Sequence, residues 1–520
     1  MQTTAENIPG GDDPPLRRDG NVENVAPTGV WPKRAATLIL PLIGAAIVLF
    51  VTRDGAGLSP DARGYLMGAR HLATGRGYTI LNGDGVPEPL TQFPPLYSVL
   101  LAPAEIAGIS AITWSRFLNA ALFAVSVSLV ARVARLCGAS WSVAAVCAAL
   151  FALSPDLLFL HAMVLSEPTF IACSLVAFLL LGGYLQDEAR WKLIGAGLAL
   201  AAALAVRYSA PPLIGAAGLC LLFNARRPIA RRVGDALLLG VIAAAPMAVW
   251  MMRNAQLTGS AGGRPVAFHP PESGHYDDAM KTLSYWLLPG SGDTVAITGC
   301  VLTASIAIVA MVWAWRQGAT RRLIALTVAC YLAFIVLSIT FVDALTPMDK
   351  RILAPVHVAL IVLVPLWVST LRFPPQTLPK IAAVFLLVMA VRAGGWVNKA
   401  PKSGLGFACR QWRESELGRF IRALPPDALI YTNTVDFLYL GQNRFAKPIP
   451  RLYYAVSRKQ DVKYRERLRT MSEELQARGG YLIHFSTIKR AWLPTEDRLR
   501  DDLPLNVVHA ATDGKAYQLD

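Results

Sequence analysis

Two carboxylates in this chain sit where a carboxylate can do chemistry. The run Ser59-Pro60-Asp61-Ala62-Arg63-Gly64-Tyr65 follows the first long apolar stretch directly. A carboxylate there, at a membrane surface and partly shielded from water, suits a general base. Ser59 or Asp61 would equally cap a short helix. The second candidate lies in His161-Ala162-Met163-Val164-Leu165-Ser166-Glu167-Pro168, between two apolar stretches. Glu167 is placed either to act with Asp61 or simply to favour a helix N-terminus, with Pro168 in the first turn. Cations accompany them: Arg63, Arg207, Arg253, Lys350 and Arg351. Singly, each would anchor a helix end by snorkelling. As a group they would hold a lipid phosphate at headgroup level.

These residues need elements to bring them together, and the apolar pattern supplies them. Hydrophobic residues make up 54% of the 520, charged residues only 16%, and the mean hydropathy is +0.41. Apolar runs near the length of a membrane span (about 20 residues) cover 35–52, 113–134, 140–158, 168–185, 191–206, 211–224, 233–252, 294–315, 322–341, 352–371 and 380–397. That predicts an α-helical polytopic membrane protein of about eleven transmembrane helices. Residues 95–108 are apolar but short, open on Pro94-Pro95 and carry Glu105, so a helix lying on the membrane surface is expected. With the N-terminus cytoplasmic, every short cytoplasmic loop then carries Arg or Lys, as the positive-inside rule requires. The same alternation puts Asp61, Glu167, Arg207, Lys350 and Arg351 on one outer face, with the residues after 397.

Three regions are expected: a disordered cytoplasmic arm at 1–34, the transmembrane domain at 35–397, and a small α/β extracytoplasmic domain at 398–520. In the last, 428–431, 480–485 and 506–510 read as strands and 460–478 as an amphipathic helix. No Gly-rich phosphate loop follows a strand. The net charge of +15 is spread through the interhelical loops, which argues against nucleic acid as a partner. Of the seven Cys, Cys147, Cys173, Cys220, Cys300 and Cys330 lie in apolar runs, Cys137 at a helix end and Cys409 in the tail. Their spacing outlines no metal site. The Ala-, Arg- and Gly-rich usage fits a GC-rich bacterium, and the expected location is its inner membrane.

In the order and placement of its short motifs the chain resembles the GT-C glycosyltransferases, in the branch holding protein O-mannosyltransferases and the lipid A aminoarabinose transferase. Those motifs are Asp61 with Tyr65, then Gly75-Arg76-Gly77-Tyr78, and Phe93-Pro94-Pro95-Leu96-Tyr97. They continue with Ser115-Arg116-Phe117-Leu118-Asn119-Ala120, Glu167, and Lys350-Arg351-Ile352-Leu353-Ala354-Pro355. The resemblance implies inverting transfer of a sugar from a polyprenyl-phosphate donor to a glycan, lipid or protein acceptor. It implies Asp61 and Glu167 as catalytic groups and Arg207, Lys350 and Arg351 at the donor phosphate. Arg63, Tyr65, Gln92 and His161 are expected to meet substrate. No cofactor is implied, and a metal requirement is left open. The chain departs from the family pattern in three places: Gln92-Phe93 replaces Glu-Lys, Ala62 stands where a paired acid is found, and Glu167 replaces Asp. A lipid-linked glycan transporter or flippase, or a glycan polymerase or ligase, is the alternative.

Overall fold

The computed structural model describes residues 30–262, 266–290 and 292–519. The expected arm falls mostly outside them, and its last residues, from Val30, already belong to the first long helix, Val30–Val51. That helix is apolar after Lys33 and Arg34. It packs so closely on Ala111–Leu136 that a Cβ on Gly44 would fall 2.5 Å from the Phe123 ring.

Each apolar run of the sequence forms a helix, and these helices differ in length. Among the described residues seven helices are long and apolar enough to span, or eight if the pair Trp141–Ala152 and Pro155–His161, bent by 60°, is one span. Three segments expected as spans form shorter helices: Arg190–Val206 of 17 residues, Pro211–Leu222 of 12 and Ala354–Val368 of 15. At 1.5 Å per residue these measure about 26, 18 and 22 Å, short of the roughly 30 Å hydrocarbon core. The surface helix is present as Leu96–Ile106. The loop before Asp293 holds a further helix, Ser273–Leu287, opened by a reciprocal cap between Glu272 and His275.

The helix ends sort into two faces. On one, Arg321 donates to the Cys137 carbonyl (2.7 Å), Arg322 to the Phe223 carbonyl (3.0 Å) and Gln186 to the Leu136 carbonyl (2.9 Å). Lys33 stands over Trp141 on that face. The other face gathers the first loop, the start of Glu167–Asp187, the end of Arg190–Val206 and the turn before Ala354.

The first loop begins its helix, Pro60–Ala73, as the sequence suggests: Ser59 is extended and Pro60 takes the first helical position. The Ser59 side chain makes no capping bond. Gly75, at φ +72°, ends the helix, and an antiparallel ribbon follows, β1 (Thr79–Leu81) with β2 (Pro87–Pro89).

Past the long helix Thr377–Ser403, which runs across the expected boundary at 397/398, lies a mixed five-stranded sheet. Its strands are β3 (Ile430–Thr432), β4 (Lys447–Pro448), β5 (Tyr481–Phe485), β6 (Leu505–Ala511) and β7 (Gly514–Leu519), in the order β4-β3-β5-β7-β6. β3 runs parallel to β4 and β5, while β7 is antiparallel to β5 and β6. Alternation sorts its side chains: Leu482 and Tyr517 face a core with helix Tyr464–Arg478, and Ile483, Phe485 and Ala516 face a second core. That second core also contains Ala56, Leu58, Ala62, Tyr65 and Leu66 of the first loop. Phe407 N–H donates to the Leu58 carbonyl at 2.8 Å, so backbone bonding joins the two as well.

Phe437 anchors this junction, with ring centroids 4.3 Å from Trp412, 5.5 Å from Phe485 and 6.0 Å from Phe407. Phe437→Ala is expected to cost about 3–5 kcal/mol. The loss would be read as earlier thermal release of the C-terminal domain, followed by protease sensitivity at 404–415. An unchanged melting profile would show that the junction does not depend on this ring.

Candidate active site

The loop face carries a chain of alternating charges. Arg351 Nη2 donates to Asp61 Oδ2 at 2.6 Å, and its Nε donates to Glu167 Oε1 at 2.9 Å. Arg207 Nη1 reaches the same Glu167 oxygen at 2.8 Å and also donates to Ser166 Oγ at 3.1 Å. Four segments far apart in sequence thus converge: the first turn of Pro60–Ala73, the start of Glu167–Asp187, the residue ending Arg190–Val206, and the turn ahead of Ala354–Val368.

The two carboxylates live in different surroundings. The Glu167 side chain is 2% exposed and the Asp61 side chain 28%. Glu167 is held by two guanidiniums at a helix N-terminus, the arrangement a buried carboxylate needs to keep its charge. Its Oε2 is buried with no hydrogen-bond partner. Asp61 spends one oxygen on Arg351 and is open to solvent, so an incoming group can reach it.

Burial disfavours the charge of Arg351, but Glu167 and then Asp61 outweigh it and raise its pKa. The same balance, with Glu167 as the main opposing charge, raises Arg207. Both therefore stay cationic at any working pH. Tyr65, two aromatic contacts deep against Phe93 and Tyr97, shares a hydrogen bond with Ser166 Oγ at 2.9 Å. Burial, then the Asp61 charge, pushes its phenol well above the usual range, so it stays protonated and acts as a hydrogen-bonding group rather than a base.

The remaining candidates fall elsewhere. Lys350, next to Arg351, turns the other way, 3.9 Å from Asp156 and over the Phe159 ring. The Asx-type turn at Asp349 explains the divergence. Asp349 Oδ1 accepts from the Arg351 and Ile352 N–H groups, which rotates successive side chains apart. His161 is fully buried, bonded to the Leu157 carbonyl at 2.8 Å and edge-on to Phe123 and Phe151, inside the helix bundle rather than on the loop face. Gln92 is exposed before the surface helix. Beside it, Tyr208 donates to the Thr91 carbonyl at 3.0 Å and accepts from Trp250 Nε1 at 3.1 Å. Arg253 stacks over Trp250. Arg63 leaves Asp61's direction, donating to the Leu81 carbonyl at 2.9 Å and pairing with Asp436 of the C-terminal domain.

Ser166 and Asp349 belong to the site and carried no signal strong enough to single them out. Ser166 was visible only as the neighbour of Glu167, and Asp349 only as an acid ahead of Lys350-Arg351. Among the described residues no group of three or more His, Cys, Asp or Glu side chains is placed to hold a metal ion.

Residues 85–258 match the family of dolichyl-phosphate-mannose-protein mannosyltransferases. The match takes in Glu167, Arg207 and Arg253 but not Asp61 or Arg351. No curated protein matches the chain by sequence. Among solved structures the chain is similar to ArnT from Cupriavidus metallidurans in the apo state, with a TM-score of 0.59 at 14% identity over 92% of this chain and 97% of that one. It is similar also to the same protein bound to undecaprenyl phosphate, with a TM-score of 0.59 at 13% identity, covering 93% and 98%. The third is the archaeal oligosaccharyltransferase AglB from Archaeoglobus fulgidus, solved with an inhibitory peptide and a dolichol-phosphate. There the TM-score is 0.50 at 11% identity over 94% and 75%. A segment that matches the mannosyltransferase family thus lies within a fold shared with these proteins, and together they support assignment of the chain to the GT-C superfamily.

Proposed function

We propose that the chain is an inverting glycosyltransferase that moves a sugar from a polyprenyl phosphate to a glycan, lipid or protein acceptor on the outer side of a bacterial inner membrane. The observation that carries this reading is the Arg351 bridge between an exposed carboxylate, Asp61, and a buried one, Glu167. Support comes from the family match and from the undecaprenyl phosphate and dolichol-phosphate found with the structurally similar proteins.

Asp61 takes the proton of the acceptor hydroxyl as that oxygen attacks the anomeric carbon. The bond from that carbon to the phosphate oxygen breaks, and the lipid phosphate leaves with the added negative charge. At rest Asp61 and Glu167 balance Arg351 and Arg207. When Asp61 is protonated, Arg351 loses one of its two anionic partners, and the cluster becomes net positive as the phosphate becomes more negative. Charge exchange of this kind is worth a few kcal/mol at such distances in a partly shielded site. Glu167 keeps both guanidiniums in place throughout, and the N–H groups they do not spend on carboxylates face the donor. Tyr65 backs the site through Ser166, Gln92 is exposed ahead of the surface helix, and Arg253 and Lys350 are further cations that the donor would draw on only by moving from Trp250 and Asp156.

The test separates transfer from transport. Purified chain, in nanodiscs and in parallel in sealed vesicles, would be given undecaprenyl-phosphate sugars and an envelope extract. Transfer releases undecaprenyl phosphate in proportion to sugar moved. Intact donor recovered in full, with donor redistributed across a sealed vesicle, would replace the transferase reading by a flippase.

A further inference from the structure

The C-terminal domain presents one carboxylate to the first loop at its catalytic end. Asp436 lies in the first turn of helix Val435–Gln442. Its Oδ1 is 3.7 Å from Arg63 Nη1, and its Oδ2 accepts from Arg490 Nη2 at 3.3 Å. Arg63 is two residues from Asp61 on helix Pro60–Ala73, and its Nη2 is tied to the Leu81 carbonyl of the β1–β2 ribbon. The side chains of Arg63, Asp436 and Arg490 are mostly buried, with 18%, 15% and 23% exposed. Burial pushes the Asp436 carboxyl up, Arg490 and Arg63 pull it down, and the charge of Asp61 adds to the rise, so the two carboxylates share one electrostatic neighbourhood.

Packing leads to the same place. Phe437 and Leu438, the residues after Asp436, are buried in one core with Ala62, Tyr65 and Leu66, which surround Arg63 on the catalytic helix. The apolar contacts fix the spacing of the two helices but are non-directional. The ion pair is directional, and its Arg63 end lies in the same first turn as Asp61.

We propose that Asp436 is a positioning residue: a carboxylate supplied by the C-terminal domain that, through Arg63, sets the placement of the turn carrying Asp61. The inference rests on the reading of Asp61 as the base. It makes the C-terminal domain part of the catalytic apparatus rather than an appendage, because a shift of about 1 Å in a reacting group costs on the order of a hundredfold in rate.

Two measurements test it, one of them independent of turnover. In an Asp61→Cys background, alkylation at position 61 by a water-soluble maleimide is followed by peptide mass spectrometry, which separates it from Cys409. Adding Asp436→Asn is expected to change the rate at least about threefold, while Asp436→Glu, which keeps the charge, stays nearer the parent. Equal rates in all three overturn the proposal whatever the chain's reaction is. With a donor that supports turnover, Asp436→Asn is expected to lower kcat about ten- to a hundredfold with donor KM within about twofold, and Asp436→Glu to recover most of it. A merely structural role would lower the yield of folded protein and leave kcat per folded molecule native, which would also overturn it. Should Asp436→Asn not be recovered folded, Arg63→Gln removes the other end of the pair and is expected to give the same fall in kcat. Native kcat there contradicts the proposal. Absence of turnover in the native chain counts against the transferase reading, and the alkylation result still decides for Asp436.

Discussion

Asp61→Asn is expected to reduce sugar transfer by about 10²–10⁴-fold, the range a well-placed general base contributes, while leaving the fold and donor binding in place. The geometry explains why the loss should be so selective. Asp61 sits on the surface of the cluster with its side chain 28% exposed, and the amide can still accept from Arg351 Nη2 through its oxygen. What disappears is the capacity to take a proton, along with the anionic partner that Arg351 gives up during the reaction. Melting temperature and undecaprenyl phosphate retention should therefore stay close to native. Transfer at the native rate by Asp61→Asn would remove this residue as the base and shift attention to Glu167.

The opposite split is expected at Glu167. Its side chain is 2% exposed, and one of its oxygens accepts a hydrogen bond from Arg351 and pairs with Arg207. Glu167→Gln leaves two buried guanidiniums facing a neutral amide. Removing one partner of a buried ion pair typically costs about 3–5 kcal/mol. Thermal unfolding should begin well below the native temperature, and activity should fall with it because Arg351 loses its fixed end. A helix-terminal glutamate that merely complemented the dipole would contribute no more than about 1 kcal/mol. A Glu167→Gln protein as stable as the native chain would show that the buried bridge carries little load. The two substitutions together thus distinguish a chemical carboxylate from one that holds the others.

Much of this arrangement was legible in the sequence, for identifiable reasons. Each apolar run marked a helix, because burying so many apolar side chains leaves the backbone polar groups to be satisfied within the segment. Loop alternation placed Asp61, Glu167, Arg207 and Arg351 on one face before any contact was known. Helix length was less legible: the 211–224 run opens on Pro211-Pro212 and folds into 12 helical residues, and the 140–158 run breaks at Ser154-Pro155. The helix Ser273–Leu287 reads as a polar loop because its stability comes from a cap and from contacts distant in sequence. In the C-terminal domain three strands and one helix were marked by apolar clusters. β4 is two residues long, and β7 starts right after the Thr512-Asp513 turn and is recognisable mainly from its pairing with β5 and β6.

Within the site, adjacency misled. Lys350 and Arg351 look equivalent as letters, yet the Asp349 turn sends one to Asp156 and the other to the two carboxylates. His161 was expected to meet substrate, and the structure packs it against Phe123 and Phe151 beside the 60° bend. Asp436 had no local mark at all, because what makes it notable is a partner in the first loop.

The most direct test of the central claim is transfer of radiolabelled sugar from a panel of polyprenyl-phosphate sugars by membranes containing either the native chain or Asp61→Asn. Label from one donor should enter the envelope fraction with the native chain and be lost with the variant. Equal labelling by both, or none from any donor in the presence of native acceptors, would contradict the assignment of Asp61 or of the reaction itself.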